Sequence, residues 1–384
     1  MPSTKHALVT GALGHTGSFM VKLLVENGWN VVATDLPPEK RKKLLTKEKV
    51  FINVNLPSTI DGKNVEFVSS DLNSKNSLIS LFNGRKYDAI FSIASLYDYF
   101  AKLDLLIKIN VGGLRNLLEA YHKSCLRDYE SPDEYPRFIH WSTCGVYGQP
   151  RYKDWQVPAD ESAPYDPPND YSKSKALQEI ILKKWRERWN LPITIIRPGP
   201  IYGPGQLYGA YHVFRAFNNV ISIPIVKIIP KKRRLRMPMV HVEDLVRAAL
   251  FLAKLPRENV VGEAFNVLDD CGFQDDFTIV MGNIFNLPMT HMKTHWFLYK
   301  IIARMLYRLY FSTMWIYRRF GKRPKIDAPM ADYIVHQYHF SNEKIKKLGF
   351  KFKYPDQWKG TRETVNWYIK NGWMEKESPL SLFL

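Results

Sequence analysis

The chain has 384 residues, 45% of them hydrophobic, and a formal net charge of +18. That composition supports a substantial core and excludes global disorder, and the length suits one large domain or two closely joined ones. The positive field favours anionic partners such as phosphorylated ligands or anionic lipid, but no nucleic-acid module is found, so nucleic acid is not an expected partner.

Met1–Lys5 runs directly into the strand-like His6–Thr10, which leaves no room for a signal peptide. The next residues, Thr10-Gly11-Ala12-Leu13-Gly14-His15-Thr16-Gly17, carry glycines spaced three apart and open a helical pattern over Thr16–Asn27. Gly11 suits a tight turn, Gly14 a close backbone approach to a pyrophosphate, and Gly17 close packing of helix on strand. The helix starting near His15 then directs its N-terminal N–H groups at phosphates. Such a spacing alone is also compatible with an ordinary turn; its position between a strand and an amphipathic helix points to a nucleotide loop.

A second strand, Asn30–Asp35, ends on a carboxylate 18 residues after Gly17. Asp35 there can accept hydrogen bonds from both ribose hydroxyls of an adenosine and repel a 2′-phosphate, which favours NAD; it could also simply cap the next turn. Lys40, Arg41 and Lys42 soften the discrimination, so NADP is the alternative. Lys40–Lys63 reads as a helix followed by a surface loop. Strand Val65–Ser69 leads to Asp71-Leu72, where the Asp could meet the adenine, and strand Asp88–Ile93 leads to Ala94-Ser95, small enough to let a cofactor lie close. A helix over Leu103–His122 and a polar loop, Arg127–Pro136, precede strand Arg137–Ser142.

Tyr171 and Lys175 lie four apart, so on a helix they share a face. A nearby Lys⁺ favours a phenolate and would bring the Tyr pKa into a usable acid/base range. Strand Ile193–Arg197 follows. Met239–Val242 reads as a strand, Glu243–Ala253 as a helix and Ala264–Leu268 as another strand. This alternation predicts an α/β fold, a doubly wound parallel sheet. Cys125, Cys144 and Cys271 have neither metal-ligand nor disulfide spacing, which predicts no metal site and suits a reducing, cytoplasmic compartment.

The motifs Thr10–Gly17, Asp71-Leu72, Asn110–Gly113, Ser142–Gly148, Tyr171–Lys175, Arg197–Gly205 and His241–Asp244 occur in the order of the extended short-chain dehydrogenase/reductases, and over about residues 5–270 the chain resembles that superfamily of NAD-dependent epimerases and dehydratases. Phe340–Phe350 matches its closing pattern. The resemblance implies a Rossmann-type NAD-binding domain over 1–200, with 225–270 returning to it, and a smaller, mostly helical substrate lobe from 201–224 and 271–384. It implies Tyr171 as acid/base, Lys175 as holder of the nicotinamide ribose and depressor of the Tyr171 pKa, and Thr143 as hydrogen-bond partner of the substrate oxygen, with Ser142 the weaker candidate. It puts Asn110 in the proton-relay position, with a helix kink or polar cap as the lesser reading, and Pro198 and Gly199 beside the nicotinamide. It also allows a homodimer.

Nucleotide-sugar 4,6-dehydratases of that superfamily place an Asp-Glu pair directly after the Thr. Cys144 and Gly145 stand here, which argues against dehydration. Epimerases carry an Asn where Pro200 stands and an Arg where Met237 stands, with Arg236 one step away. The Arg-Pro-x-x-Ile-Tyr-Gly-x-Gly form resembles the 3β-hydroxysteroid dehydrogenase branch, whose substrates are apolar secondary alcohols. The expected activity is therefore NAD-dependent interconversion of alcohol and ketone on a lipophilic, sterol-like or acyl-like substrate. The alternatives are a nucleotide-sugar epimerase or reductase, and a non-catalytic NAD-binding protein.

No run of about 18 uninterrupted apolar residues occurs, so a simple membrane span is not expected. Thr294–Phe320 nevertheless reads as an amphipathic helix, with Lys300, Arg304 and Arg308 on one face and Leu298, Ile302, Met305, Leu306 and Leu309 opposite. Its aromatic flanks suit peripheral contact with an anionic membrane; packing on the protein's own core or over a lipophilic pocket is the other reading.

Overall fold

The computed structural model describes residues 4–37, 39, 64–148, 157–320 and 335–375; the expected helix and loop of Lys40–Lys63 lie outside the described residues. In chain order the strands are β1 (His6–Thr10), β2 (Asn30–Asp35), β3 (Val65–Ser69), β4 (Ala89–Ser92), β5 (Arg137–Trp141), β6 (Ile193–Pro198), β7 (Ile201–Tyr202), β8 (Ile223–Ile229), β9 (Val240–His241), β10 (Ala264–Val267) and β11 (Met289–His295). The helices are α1 (His15–Glu26), α2 (Lys75–Phe82), α3 (Leu103–Leu106), α4 (Gly113–Asp128), α5 (Asp170–Trp189), α6 (Ala210–Asn218), α7 (Val242–Lys254), α8 (Gln274–Ile284), α9 (Trp296–Arg319), α10 (Glu343–Lys347) and α11 (Gln357–Lys370).

Seven strands form one parallel sheet in the order β10-β6-β5-β4-β1-β2-β3. The order reverses at β1, so a crevice opens beyond the strand ends between β1 and β4. Side chains alternate across the sheet, and both faces are covered. Ala7, Val9, Phe91, Ile139 and Phe265 pack with Met20 and Leu24 of α1 and Leu245 and Ala249 of α7. Leu8, Ile90, Phe138 and Ile195 pack on the opposite side with Leu81, Leu117, Leu118 and Leu182 from α2, α4 and α5. This is the doubly wound α/β architecture expected.

The chain returns to that sheet through α7 and β10. The segment from 225 does not: β8 pairs in parallel with β11 outside the large sheet, Ile223 opposite Met289. Ile223 and Ile225 pack into a separate lobe core with Phe214, Phe277, Met281, Val365 and Tyr368. The helix expected over Leu103–His122 is broken by a π-helical turn, Ile107–Gly112, between α3 and α4.

Candidate active site

The carboxyl ends of the sheet strands converge on a cavity of about 770 Å³. Its wall contains Gly11, Gly14, His15, Thr16 and Gly17 after β1, Asp35 at the end of β2, Asp71 and Leu72 after β3, Ala94 after β4, Thr143 after β5, Tyr171 and Lys175 from α5, and Pro198 and Gly199 at the end of β6. Of the site residues expected from sequence, Asn110 alone does not line it.

At the β1 end the glycines have steric causes. Gly11 has a φ of +69°, and a Cβ on it would lie 2.9 Å from the Ala94 Cα. A Cβ on Gly17 would lie 2.0 Å from the Gly11 carbonyl oxygen, so α1 can start this close to the turn only without one. The Asp35 carboxylate accepts the backbone N–H of Leu13 at 2.9 Å and of Leu36 at 2.8 Å, which fixes it at the cavity edge. His15 shares a hydrogen bond with the Pro204 carbonyl through Nε2 at 3.0 Å, and burial pulls its pKa to about 4, so the neutral ring leaves Nδ1 as an acceptor. His15 Nδ1, Thr34 Oγ1 and Ser95 Oγ are buried in this wall without a partner among the described residues. A helix N-terminus, a Cβ-free turn and orphaned polar atoms fit a dinucleotide.

At the other end, Asn169 caps α5 by accepting the Ser172 N–H at 2.9 Å, which starts the helix just before Tyr171. Tyr97 and Tyr99 pack edge-on against the Tyr171 ring, with centroids at 5.1 and 5.3 Å. Burial, with Tyr99 and Tyr208 adding to it, pushes the Tyr171 phenol well above its ordinary pKa. Lys175 Nζ donates to the Trp141 carbonyl at 2.8 Å. Burial pulls Lys175 down to about 7, while Glu179 pulls the other way. Both groups are dry and desolvation dominates each, and Lys175 is not among the groups that shift the Tyr171 phenol.

Thr143 Oγ1 accepts the Gly145 N–H at 3.1 Å at the cavity wall. The Ser142 hydroxyl is turned to Glu179 Oε1, at 2.5 Å. Asn110 sits in the π turn: its side chain grips Leu96 N at 2.7 Å and Ser174 Oγ at 3.1 Å, and its carbonyl accepts Gln178 Nε2 at 2.7 Å. It ties the π turn to α5 and to the loop after β4. Cys144 Sγ donates to the Arg197 carbonyl at 3.1 Å, and burial pushes the thiol well above its ordinary pKa.

Sequence reasoning missed Glu179. It lies one turn beyond Lys175 on the same face, fully buried, and pairs with buried Arg197 at 2.7 Å. Tyr165 donates to it as well, and the Arg197 guanidinium lies over the Tyr147 ring at 4.9 Å. The four-residue spacing of Tyr171, Lys175 and Glu179 was the available signal.

Away from the dinucleotide end the wall is aromatic and apolar: Tyr97, Tyr208, Phe217, Phe277, Leu306, Tyr307, Tyr310 and Tyr338. Lys175 is the sole Lys or Arg among the described lining residues. Pro200 and Met237 line it, whereas Arg236 donates to the Cys271 carbonyl at 2.9 Å and stacks over Phe273.

Human dTDP-D-glucose 4,6-dehydratase is 25% identical to this chain, with 99% of this chain and 95% of that protein covered. Among solved structures, UDP-glucose 4-epimerase of Thermotoga maritima superposes with a TM-score of 0.66 at 21% identity, covering 95% of this chain and 99% of that one. The NAD complex of dTDP-glucose 4,6-dehydratase of Bacillus anthracis superposes with a TM-score of 0.65 at 19% identity, covering 97% and 99%. These likenesses show the shared fold. The sequence itself matches the family of NAD dependent epimerases and dehydratases over residues 7–267, and with the dinucleotide cradle in place over that stretch, the chain belongs to that family of NAD-using enzymes.

Proposed function

We propose that the protein transfers hydride between NAD and a secondary carbinol carbon, interconverting alcohol and ketone or passing through a ketone during epimerisation. The observation that carries this reading is the meeting of Thr143, Tyr171 and Lys175 in one cavity with the glycine turn and Asp35. The turn, Asp35 and Lys175 would hold NAD, and NAD supplies the hydride acceptor or donor. In reduction Thr143 orients the carbonyl oxygen and the Tyr171 phenol gives it a proton as hydride arrives at carbon; in oxidation the Tyr171 phenolate takes the hydroxyl proton as the carbinol C–H leaves as hydride. A phenol held protonated by burial is ready to give that proton to a carbonyl oxygen. Dehydration is not part of the proposal, because a buried high-pKa thiol and a glycine follow Thr143, and neither serves as the acid/base pair that elimination needs.

Two substrate classes fit, each favoured by a different observation. Relatives named for nucleotide-sugar chemistry, including the 4,6-dehydratases and the Arabidopsis thaliana trifunctional enzyme at 24% identity, favour a nucleotide-sugar epimerase or reductase. The aromatic wall, with Met237 in it and no Arg among its described residues, favours a lipophilic, sterol-like or acyl-like alcohol. The family match as a whole does not single out the 3β-hydroxysteroid dehydrogenase branch.

Following NADH over a hydroxysterol panel and a nucleotide-sugar panel, with product analysis for epimers, separates them. Epimerisation recycles the cofactor and accumulates no NADH. NAD binding without turnover of either panel would leave a non-catalytic NAD-binding protein, and full activity in Tyr171→Phe would sink the mechanism.

A further inference from the structure

We infer that α9, with the cations gathered around it, docks this protein on the surface of an anionic lipid bilayer. The inference holds whichever substrate is turned over. Between Phe277 and Ile326 the chain carries nine of its 55 Lys and Arg and none of its 37 Asp and Glu. Within that stretch α9 turns an apolar stripe to solvent: Leu298, Ile302, Met305, Leu309 and Ile316, spaced so that they share one side of the helix. Met305 is 67% exposed and Leu309 63%, far beyond what a core-facing stripe shows. The side turned inward is instead that of buried Ala303 and half-buried Tyr299, Tyr307 and Tyr310.

Arg308 borders the stripe along one edge, with Arg304 and then Lys300 farther round the helix, and the fold adds cations that sequence alone does not place there. The Arg233 guanidinium lies over the Trp296 ring at 4.8 Å and Lys300 Nζ over the same ring at 5.5 Å, so the turn Lys231–Arg233 sits at the start of α9. Lys227 and Lys293 lie side by side in register on β8 and β11. An apolar stripe rimmed by cations complements an anionic interface, into which the stripe sinks while the rim meets the headgroups. A second copy of the chain would bring the same positive rim against itself, which disfavours self-association through this face. No described helix is long and apolar enough to cross a membrane, so α9 lies in the plane of the surface. Leu306, at the margin of the stripe, and the inner residues Tyr307 and Tyr310 wall the active-site cavity, so docking sets that wall against the bilayer.

The test is sedimentation of the full chain with phosphatidylcholine vesicles, with and without phosphatidylserine, with NAD binding measured in parallel as the check on folding. Binding is expected on phosphatidylserine vesicles, tenfold or more weaker on phosphatidylcholine alone, and weakened again as salt rises from about 0.1 M to about 1 M. Met305→Glu with Leu309→Glu is expected to cost tenfold or more in vesicle binding and leave NAD binding in place, and Arg304→Glu with Arg308→Glu to abolish the preference for phosphatidylserine. The inference is overturned by no binding to phosphatidylserine vesicles, by binding that both double variants leave unchanged, or by a dimer in solution that Met305→Glu with Leu309→Glu dissociates, since a second copy would then cover the stripe. None of these outcomes bears on hydride transfer, which the NADH assay reads separately.

Discussion

The sheet half of the molecule and its C-terminal lobe meet at one cavity but build it from different materials. On the sheet side the wall is backbone and short polar side chains held in place by the strands, with Gly11, Gly17 and Asp35 fixed by contacts of a few ångströms. On the lobe side it is a patchwork of rings, from Phe217 and Phe277 to Tyr307 and Tyr310, contributed by four separate stretches of chain. Binding a dinucleotide needs positioned donors and acceptors, which tolerate little change. Choosing a substrate by apolar contact needs volume and surface, which tolerate much more. Substitutions on the sheet side should therefore act on cofactor and chemistry, and those on the lobe side on substrate affinity.

The largest effect expected is on chemistry alone. Tyr171→Phe should lower turnover by about 10²–10⁴-fold, the range for removing a general acid/base, while NAD affinity measured by calorimetry is unchanged. Next is Glu179→Gln, which leaves Arg197 buried without its counter-charge and should cost about 3–5 kcal/mol of stability in denaturant melts. It also removes the group that favours the Lys175 cation, so the Lys175 limb of the pH–rate profile should move to lower pH. A purely structural role for Glu179 would leave that limb where it is. Gly17→Ala should cost about 1–3 kcal/mol and weaken NAD, because its Cβ has no room beside the Gly11 carbonyl.

Lys175 tests the electrostatics of the dry site. Its pKa is about 7 in the folded protein against 10.5 when free, so the unfolded chain binds the extra proton between those values. Stability should consequently rise with pH from about 7 to about 10.5, the window in which the penalty of burying the charge disappears. Lys175→Met, which fills a similar volume without charge, should lose that rise. Melting temperatures of the two proteins should then differ most near neutral pH and converge as the pH approaches 10.5.

These two sides were also unequally legible. Strand-ending motifs are local: a glycine turn or a strand-final Asp is required by chemistry at one place, so β1, β2 and β3 and the residues after them could be read directly from the chain. The β8–β11 pair was missed because Met-Thr-His-Met-Lys-Thr-His has no apolar alternation; it becomes a strand only by pairing along Ile223–Ile229. The π turn at Ile107–Gly112 was hidden inside a good helical pattern, and it is held by Gln178, 68 positions away. Glu179 was missed because what marks it is its buried pairing with Arg197, 18 positions along the chain. In α9 the periodicity separated cations from apolar residues correctly, but the core-facing side is set by Ala303 and the tyrosines, so the apolar stripe points outward.

The smallest effect should come from the lobe wall, and it probes the difference between the two sides most directly. Tyr310 is half-buried on α9 and lines the cavity from the lobe side. Tyr310→Ala removes apolar contact worth about 1–2 kcal/mol to a lipophilic substrate, so KM should rise about tenfold with kcat and NAD affinity nearly constant. A nucleotide sugar, whose recognition rests on polar groups, should feel less of that loss. If instead kcat falls as it does in Tyr171→Phe, the lobe wall is positioning the reacting carbon rather than only selecting what carries it, and the division between a chemical side and a selective side does not hold.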